Sequence, residues 1–588
     1  MNLQKYYPEL NFFLENLDEL IDAPNGIEKA RELVLQIAVR GRLVKQDRDD
    51  ESASELLKKI KAEKEKLISE GKIKKQRELQ PIKEEEKPFV LPEGWEWVRN
   101  IELFEFERGN NPKDLNKIGG KYPYINIKAF ETGIIEQYSD DENAKYCNDG
   151  DILIVCDGSR SGLLGEGIKG ILGSTLARVD LHYSDISEYW KMFIRTNYNF
   201  FNSNKKGAAI PHLDINLFKN ILFPLPPLAE QKRIVEKVNS LMSLLDQLEK
   251  EKESRDQKRI RLNNASIEKL LSSENEQQLR ANWKLIEENF TTLYSVPENV
   301  DKLKQTILQL AVQGKLTSKW RNTIYECHPE LVSGSKTSVQ LDDGSIFEPA
   351  SKLLKKIKAE KEKLISEGKI KKQPARRGGK ELPPIKEEEK PSNLPNGWEW
   401  VRLQEIFDVR DGTHDTPKYI KEGIPLVTSR CFSNGEIDFS LAQNISINDH
   451  KEIQKRSNVE KQDILFSMIG GNLGNMVMVK TDKEFSIKNV ALFKYYSKKL
   501  TSPYYLKLFL EHLANGIQLK AAGGAQPFVT LNFLRNHIFL LPPLAEQKRI
   551  VEKVNKLMSI CNSLEENLTQ KEKVAERFAG ALVNRITK

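Results

Sequence analysis

At 588 residues with 39% hydrophobic side chains, the chain is long enough for several domains with real cores, and it contains no run of about 18 apolar residues that could span a membrane. Its 92 Lys+Arg against 85 Asp+Glu give a formal net charge of +7, which suits a polyanionic partner without demanding one. Five cysteines (Cys147, Cys156, Cys327, Cys431, Cys561), with no CxxC pair and no histidines at ligand spacing, exclude a disulfide framework or zinc site. The opening MNLQKYYPEL lacks the basic and apolar regions of a signal peptide, so the expectation is a soluble, cytoplasmic protein.

From the N-terminus, Ile27, Leu33, Val34, Ile37 and Val39 mark a helical segment that closes on LQIAVRGRL, where Gly41 reads as a helix C-cap. The segment returns as LQLAVQGKL (308–316), 273 positions later. Upstream, Phe13, Leu17, Leu20 and Pro24 match Ile286, Phe290, Leu293 and Pro297. Next, LLKKIKAEKEKLISEGKIKKQ (56–76) recurs unchanged at 353–373. Its Lys and Glu at i,i+4 spacing predict a solvated helix, with an arm on DNA phosphates as the other reading. IKEEEKP then leads to LPEGWEWVR (91–99) and LPNGWEWVR (394–402), each opening a globular domain with its two tryptophans on one side of a short strand.

Inside those domains the copies agree in pattern and differ in residues. At offset 302, Arg108 faces Arg410, YINIK (124–128) matches LVTSR (426–430), and Gly133 matches Gly435. DILIVCDGSRSG at Asp151 matches DILFSMIGGNLG at Asp463, and GAAIPHLDINLFKN at Gly207 matches GGAQPFVTLNFLRN at Gly523. Two domains of one mixed α/β fold, diverged in their loops, are therefore expected.

Both domains end on LPPLAEQKRIVEKVN (225–239 and 541–555), where a proline pair launches a long helix. In the second copy Ile550, Val554, Leu557, Cys561, Leu564, Leu568, Ala575, Phe578 and Leu582 fall three and four apart as a coiled-coil seam. The first keeps the seam through Ile234, Val238, Leu241, Leu245 and Leu248, loses it over 249–261, and resumes at Leu262, Ile267 and Leu270. Two like helices most simply pair with each other. Pro226, Pro227, Leu228, Pro542, Pro543 and Leu544 join the seam as spacer and subunit-docking residues. The chain stops where a third LQxAVxGxL segment would start, so its two ends are expected to meet.

Motifs for catalysis are missing from the sequence: no G-x-x-x-x-G-K-[ST], no Asn-Pro-Pro-aromatic and no adenosylmethionine glycine loop. Asp149, Asp151 and Asp157 could be imagined as a metal site, but only Asp463, opposite Asp151, returns in the second copy, so turn-forming aspartates explain them better. His212 and His537 read as structural or solvated. Two differently decorated loop faces remain, and these suit duplex DNA. The first offers Arg108, Asn110, Asn111, Lys113, Asn126, Lys128, Ser159, Arg160, Lys205 and Lys206. The second offers Arg410, Thr413, His414, Lys418, Thr428, Ser429, Arg430, Asn472, Asn475, Lys520 and Gln526. Arg and Lys favour guanine, Asn and Gln favour adenine, and several must simply hold phosphates.

With PLPPLAEQKRIV (224–235), LLPPLAEQKRIV (540–551), LPxGWEWVR before each domain, LQLAVQGKLTSKWR (308–321) and DGTHDTPKY (411–419), the chain resembles the specificity subunits of type I restriction-modification systems over nearly its whole length. The resemblance implies a DNA-reading scaffold without catalysis of its own, recognising a bipartite target. Its partners would be double-stranded DNA, two modification subunits that methylate adenine with S-adenosylmethionine, and ATP- and Mg-dependent restriction subunits. A coiled-coil scaffold, or a DNA-binding adaptor of another defence system, is the alternative. The expected fold class is α+β: two homologous mixed α/β target-recognition domains joined by two long antiparallel helices in a pseudo-two-fold repeat. The boundaries are an N-terminal helical segment (1–90), recognition domain 1 (91–224), a central helical spacer region (225–320), a linker with a Lys/Glu-rich helix (321–393) whose first part, 321–349, carries Pro, Gly, Ser and Asp and reads as having no evident structure, recognition domain 2 (394–540) and a C-terminal spacer helix (541–588).

Overall fold

The structure, a computed structural model, describes residues 8–75, 79–116, 119–206, 211–333, 338–370, 384–390, 394–521 and 528–587. The chain forms two units, one of residues 1–255 with 569–588 and the other of residues 256–568. No helix among the described residues is long and apolar enough to cross a membrane.

In the first unit, helix α1 (Gly26–Val39) buries Ala30, Leu33, Val34 and Ile37. It stops because Gly41 takes φ +70°, which lets the Arg42 N–H return to the Ile37 carbonyl at 3.1 Å. Helix α2 (Ala53–Ser69) buries only Ala53, Leu56 and Ile60. The recognition domain follows as β1 (Glu96–Arg99), β2 (Phe104–Arg108), β3 (Tyr122–Ile125), α3 (Ile127–Thr132), β4 (Ile152–Val155), β5 (Leu164–Glu166), β6 (Gly170–Leu172), β7 (Leu176–Leu181), α4 (Ser187–Thr196) and β8 (Leu222–Leu225). One antiparallel sheet has the order β2-β7-β4-β5, while β3 runs parallel to β6 in a second. The β1 and β8 strands pair antiparallel, Glu96 opposite Leu225, so the domain's ends are drawn together at the start of α5 (Leu228–Leu271).

The second unit repeats this plan. It runs α6 (Pro297–Val312), α7 (Ser318–Cys327), a hairpin of β9 (Val339–Gln340) and β10 (Ile346–Phe347), and α8 (Ala350–Ser366). Then come β11 (Glu399–Arg402), β12 (Phe407–Asp411), β13 (Ile424–Val427), β14 (Ile464–Ser467), β15 (Met476–Met478), β16 (Ser486–Ile487), β17 (Val490–Tyr495), α9 (Pro503–Ala521), β18 (Ile538–Leu541) and α10 (Leu544–Thr587). The sheet order β12-β17-β14-β15, the parallel β13·β16 pair and the β11·β18 closure reproduce the first unit strand for strand.

The three repeated phrases of the sequence meet at one point in each unit. Trp95 donates its indole N–H to Glu230 at 2.9 Å, and Gln46 donates to both Glu230 (3.0 Å) and the Gly41 carbonyl (2.7 Å). A Cβ on Gly41 would come within 2.9 Å of the Trp95 ring. In the second unit Trp398 donates to Glu546 at 2.8 Å, and Arg321 takes the place of Gln46, bonding Glu546 at 2.6 Å and the Gly314 carbonyl at 3.0 Å. The glutamine of PPLAEQ turns back on the first proline: Gln231 donates to the Pro226 carbonyl and Gln547 to that of Pro542.

Four expectations are corrected. Residues 321–349 are not a structureless linker: among them Ile324, Leu331, Val339 and Phe347 build a small core of their own. The paired tryptophans do not both lie in the strand: β1 begins at Glu96 and β11 at Glu399, so Trp95 and Trp398 precede them, Trp95 being buried on Glu230 while Trp97 packs edge-on against Phe89. The seam of α5 does not resume at Leu262, which is 49% exposed, but passes through buried Asn263, Ser266, Ile267 and Leu270. Finally, Arg108 does not correspond to Arg410. Arg108 lies opposite Ala177 and Asp411 opposite Ala491, so Arg108 and Asp411 hold the same strand position with opposite charge.

The apolar spacer residues are used inside the units. Ile234, Val238, Leu241 and Leu245 are buried in the core of the first unit, together with Ala579 and Leu582 from the far end of α10. Ile550, Val554 and Cys561 are buried in the second unit's core with Leu270 from the far end of α5, and Leu557 and Leu564 are half-buried against it. Pro226, Pro227, Pro542 and Pro543 are buried, and Leu228 and Leu544 half-buried. The ends of the chain do come together, with Arg585 over the Phe12 ring at 4.1 Å.

Candidate nucleic-acid interface

In the first unit the loop end of the β2-β7-β4-β5 sheet is organised by Asp157, just beyond β4. One of its oxygens takes the Arg108 guanidinium at 2.5 Å and the other takes His212 Nδ1 at 2.6 Å. The Arg108 Nε donates to the Ser174 carbonyl, and Asn111 accepts from both the Ser174 and Tyr124 hydroxyls. Lys145 bonds the Arg108 carbonyl at 2.7 Å, and its own N–H donates to Asn110. Lys205 reaches the Ser159 carbonyl at 3.2 Å, and Arg160 pairs with Glu131 of α3 at 2.6 Å. Arg108, Asn110 and Asn111 are thus linked through Ser174 and Lys145, while Ser159 and Arg160 follow Asp157 closely in the chain and Lys205 reaches Ser159. Lys113 is exposed beyond β2, Lys128 pairs with Glu136, and Lys206 pairs with Asp214 at 2.8 Å. Asn126 has a structural task, its side chain capping α3 by accepting from the Ala129 N–H at 2.9 Å.

The second unit builds its loop end around Asp411 instead. Arg456 bonds both of its oxygens, at 2.9 and 2.5 Å, and His414 Nε2 lies 2.9 Å away. Burial raises the Asp411 carboxyl, but the Arg456 guanidinium and His414 outweigh it and hold it below the ordinary range. The Thr413 N–H donates to the Ile487 carbonyl, and His414 Nδ1 approaches Asn489, a left-handed residue at φ +58°. Arg410 turns back onto Asp408 at 2.6 Å and is only partly exposed. Arg430 and Lys418 are exposed, with no ion pair among the described residues, and Thr428 and Ser429 form the turn that carries Arg430. Asn472 and Asn475 lie in the β14–β15 turn, where the Asn475 N–H donates to the Asn472 carbonyl. Gln526 and the Lys520 side chain lie outside the described residues.

The sequence alone misses Lys145, Arg456 and Asn489, and gives Asp157 the wrong role. Each acts through a contact tens of residues away, and nothing local marks it. The aspartates imagined as a metal group separate by role: Asp157 serves Arg108, while Asp151 accepts the Asn148 N–H at 2.7 Å as a turn residue. Asp463 repeats that turn with the Glu460 N–H at 2.8 Å. Burial pushes the Cys147 thiol up to about 11 and Cys156 up to about 12, which keeps both protonated and unreactive.

Residues 92–255 and 395–573 match the model of the type I restriction modification DNA specificity domain. The chain is 34% identical over 589 aligned positions to the type I restriction enzyme EcoAI specificity subunit of Escherichia coli, covering 95% of this chain and 93% of that one. It is 31% identical to the EcoEI specificity subunit of the same species, with the same two coverages. Among solved structures, the HsdS subunit from Thermoanaerobacter tengcongensis aligns with 85% of this chain and 98% of its own, at 18% identity and a TM-score of 0.38.

Proposed function

The chain belongs to the type I restriction-modification DNA specificity family, and from that membership we propose that its two recognition domains read two different halves of one bipartite DNA target. The observation that carries this is the inversion at a single strand position. One domain offers Arg108 tethered by Asp157, and the other offers His414 and Arg456 tethered by Asp411. A guanidinium fork suits guanine O6 and N7, and presenting it from a different element, with an imidazole on the same carboxylate, changes which base edge is met. In this reading the chain is non-catalytic and binds no cofactor. Two modification subunits bring S-adenosylmethionine and methylate adenine, restriction subunits use ATP and Mg to cleave, and α5 and α10 serve as spacer and docking elements.

Methylation mapping of the host genome tests the reading, with an asymmetric bipartite adenine motif as the expected result. A palindromic motif that requires both domains would overturn it. A gel shift with the modification subunits present or absent checks that the chain supplies the sequence preference.

A further inference from the structure

Helices α2 and α8 carry the same residues, including exposed lysines such as Lys58 and Lys66 whose ion pairs lie within the helix itself. Only Ala53, Leu56 and Ile60, or Ala350, Leu353 and Ile357, are buried. Packing can account for those residues and not for the outward face. Yet 56–75 and 353–372 are identical, with eight lysines against three glutamates in each, while the recognition loops have diverged. A surface kept the same in both copies meets the same chemistry on both sides, which base edges of two different half-sites do not provide.

The direction of each helix points to that chemistry. At its start the Ala53 N–H bonds the Gly94 carbonyl; further on Lys61 meets Glu102 at 4.0 Å, and Lys64 lies within electrostatic reach of Glu105. Later residues of α2 therefore track later residues of β2, whose end carries Arg108. From Lys64 to Ser69 the helix climbs about 8 Å, and from Glu105 to Arg108 the strand climbs about 10 Å, so the basic tip arrives near the level of the loops. The second unit repeats the track: Lys358 meets Glu405 at 3.2 Å, and Lys361 donates to the Gln404 carbonyl within reach of Asp408.

We propose that the exposed faces of α2 and α8 hold the phosphate backbone of duplex DNA beside each recognition domain, independently of sequence. The proposal rests on the DNA-reading function above and adds a second contact class to it. Phosphates repeat identically at both half-sites, and lysines without base-reading partners are what such a contact needs. The faces make poor protein interfaces, because neither helix exposes a large apolar side chain and interface cores are depleted in Lys and Glu. Lys58, Lys66 and Lys72 are 72%, 60% and 65% exposed, and each is tied only to a glutamate two or three positions away. Such surface pairs are weak and leave the ammonium free to exchange partners.

The test is a full-length chain in which Lys58, Lys66, Lys72, Lys355, Lys363 and Lys369 are all changed to Gln, beside a second version in which all are changed to Arg. Binding to target and unrelated duplexes is measured across salt concentrations, with thermal melting to check folding. Each lost phosphate contact removes about 0.9 from the slope of log K against log salt. The Gln version should lose at least about two units of slope and bind both duplexes roughly tenfold or more weakly, with their ratio unchanged; the Arg version should behave as wild type. Unchanged slope and affinity in the folded Gln version would overturn the proposal while leaving the sequence preference standing. Normal DNA binding with loss of the modification subunits would overturn it in favour of a protein contact. A wild-type chain that binds DNA without preference, yet loses slope in the Gln version, would sink the recognition reading and keep this one.

Discussion

Trp95 and Glu230, 135 positions apart, are joined by a 2.9 Å hydrogen bond inside the first unit, and Trp398 and Glu546 repeat it in the second. The bond fastens the strand that opens each recognition domain to the first turn of the long helix that follows it. Its surroundings differ in charge: Glu546 is paired with Arg321 and also accepts from the Thr317 hydroxyl, while Glu230 has only neutral donors among the described residues. Removing one member of a buried ion pair costs about 3–5 kcal/mol, and removing a neutral hydrogen-bond partner about 1–3 kcal/mol. Arg321→Ala should therefore lower the denaturation midpoint clearly more than Gln46→Ala, as read by urea unfolding. Equal losses would show that the charge at Arg321 contributes nothing.

Gly314 and Gly368 separate backbone strain from packing. Both take positive φ, +68° and +70°, but a Cβ on Gly314 would lie 2.8 Å from the Trp398 ring, whereas one on Gly368 would meet nothing within 4 Å. Gly368→Ala should cost about 1 kcal/mol for the left-handed conformation alone. Gly314→Ala should cost at least about 2 kcal/mol, because overpacking adds to that strain. Melting temperatures of the two variants give the comparison.

The pH dependence of the first unit carries a signature of His182. Burial pushes this histidine down to about 4, and its Nε2 has no hydrogen-bond partner among the described residues. A depressed folded pKa means that the unfolded chain binds the proton first. Its contribution is thus fully present above the ordinary histidine value near 6.5 and is lost as pH falls toward 4, by roughly 3 kcal/mol in all. His182→Phe should flatten the stability profile between pH 6.5 and 4 relative to wild type, as measured by urea unfolding at each pH.

Arg160→Ala and Arg430→Ala should each weaken one half-site only, by about 1–3 kcal/mol if the guanidinium reads a base. Arg430 is the cleaner case, since Arg160 must first leave Glu131. Binding series with each half-site mutated in turn will separate the two. An equal loss on both halves would reassign the residue to phosphate or structure.

Much of this architecture was legible because the chain states it twice. Repeated words locate both domains, both long helices and the glycine caps without any structure. Strand register was less accessible: aligning Arg108 with Arg410 matches like with like, whereas the offset of 303 set by the preceding LPxGWEWVR points to Asp411, and the partners Ala177 and Ala491 show that this offset holds through the strand. Local composition also misled over 321–349, where Gly, Ser and Asp hide the four apolar residues that pack together. The loop ends were the least readable part, since Asp157 and Arg456 matter only through neighbours that folding brings to them.

The far end of α10 has a consequence in time. Ala579 and Leu582 complete the core that Phe13, Leu33 and Ile234 begin, so the first unit draws its last pieces from the final turns of the chain. More than three hundred residues separate its two parts, and at about 5–20 residues per second a ribosome needs roughly 15–60 s to cross that interval. The half of the protein that emerges first is therefore the last to be finished, and through that wait its apolar seam stands open to whatever else the cell has made.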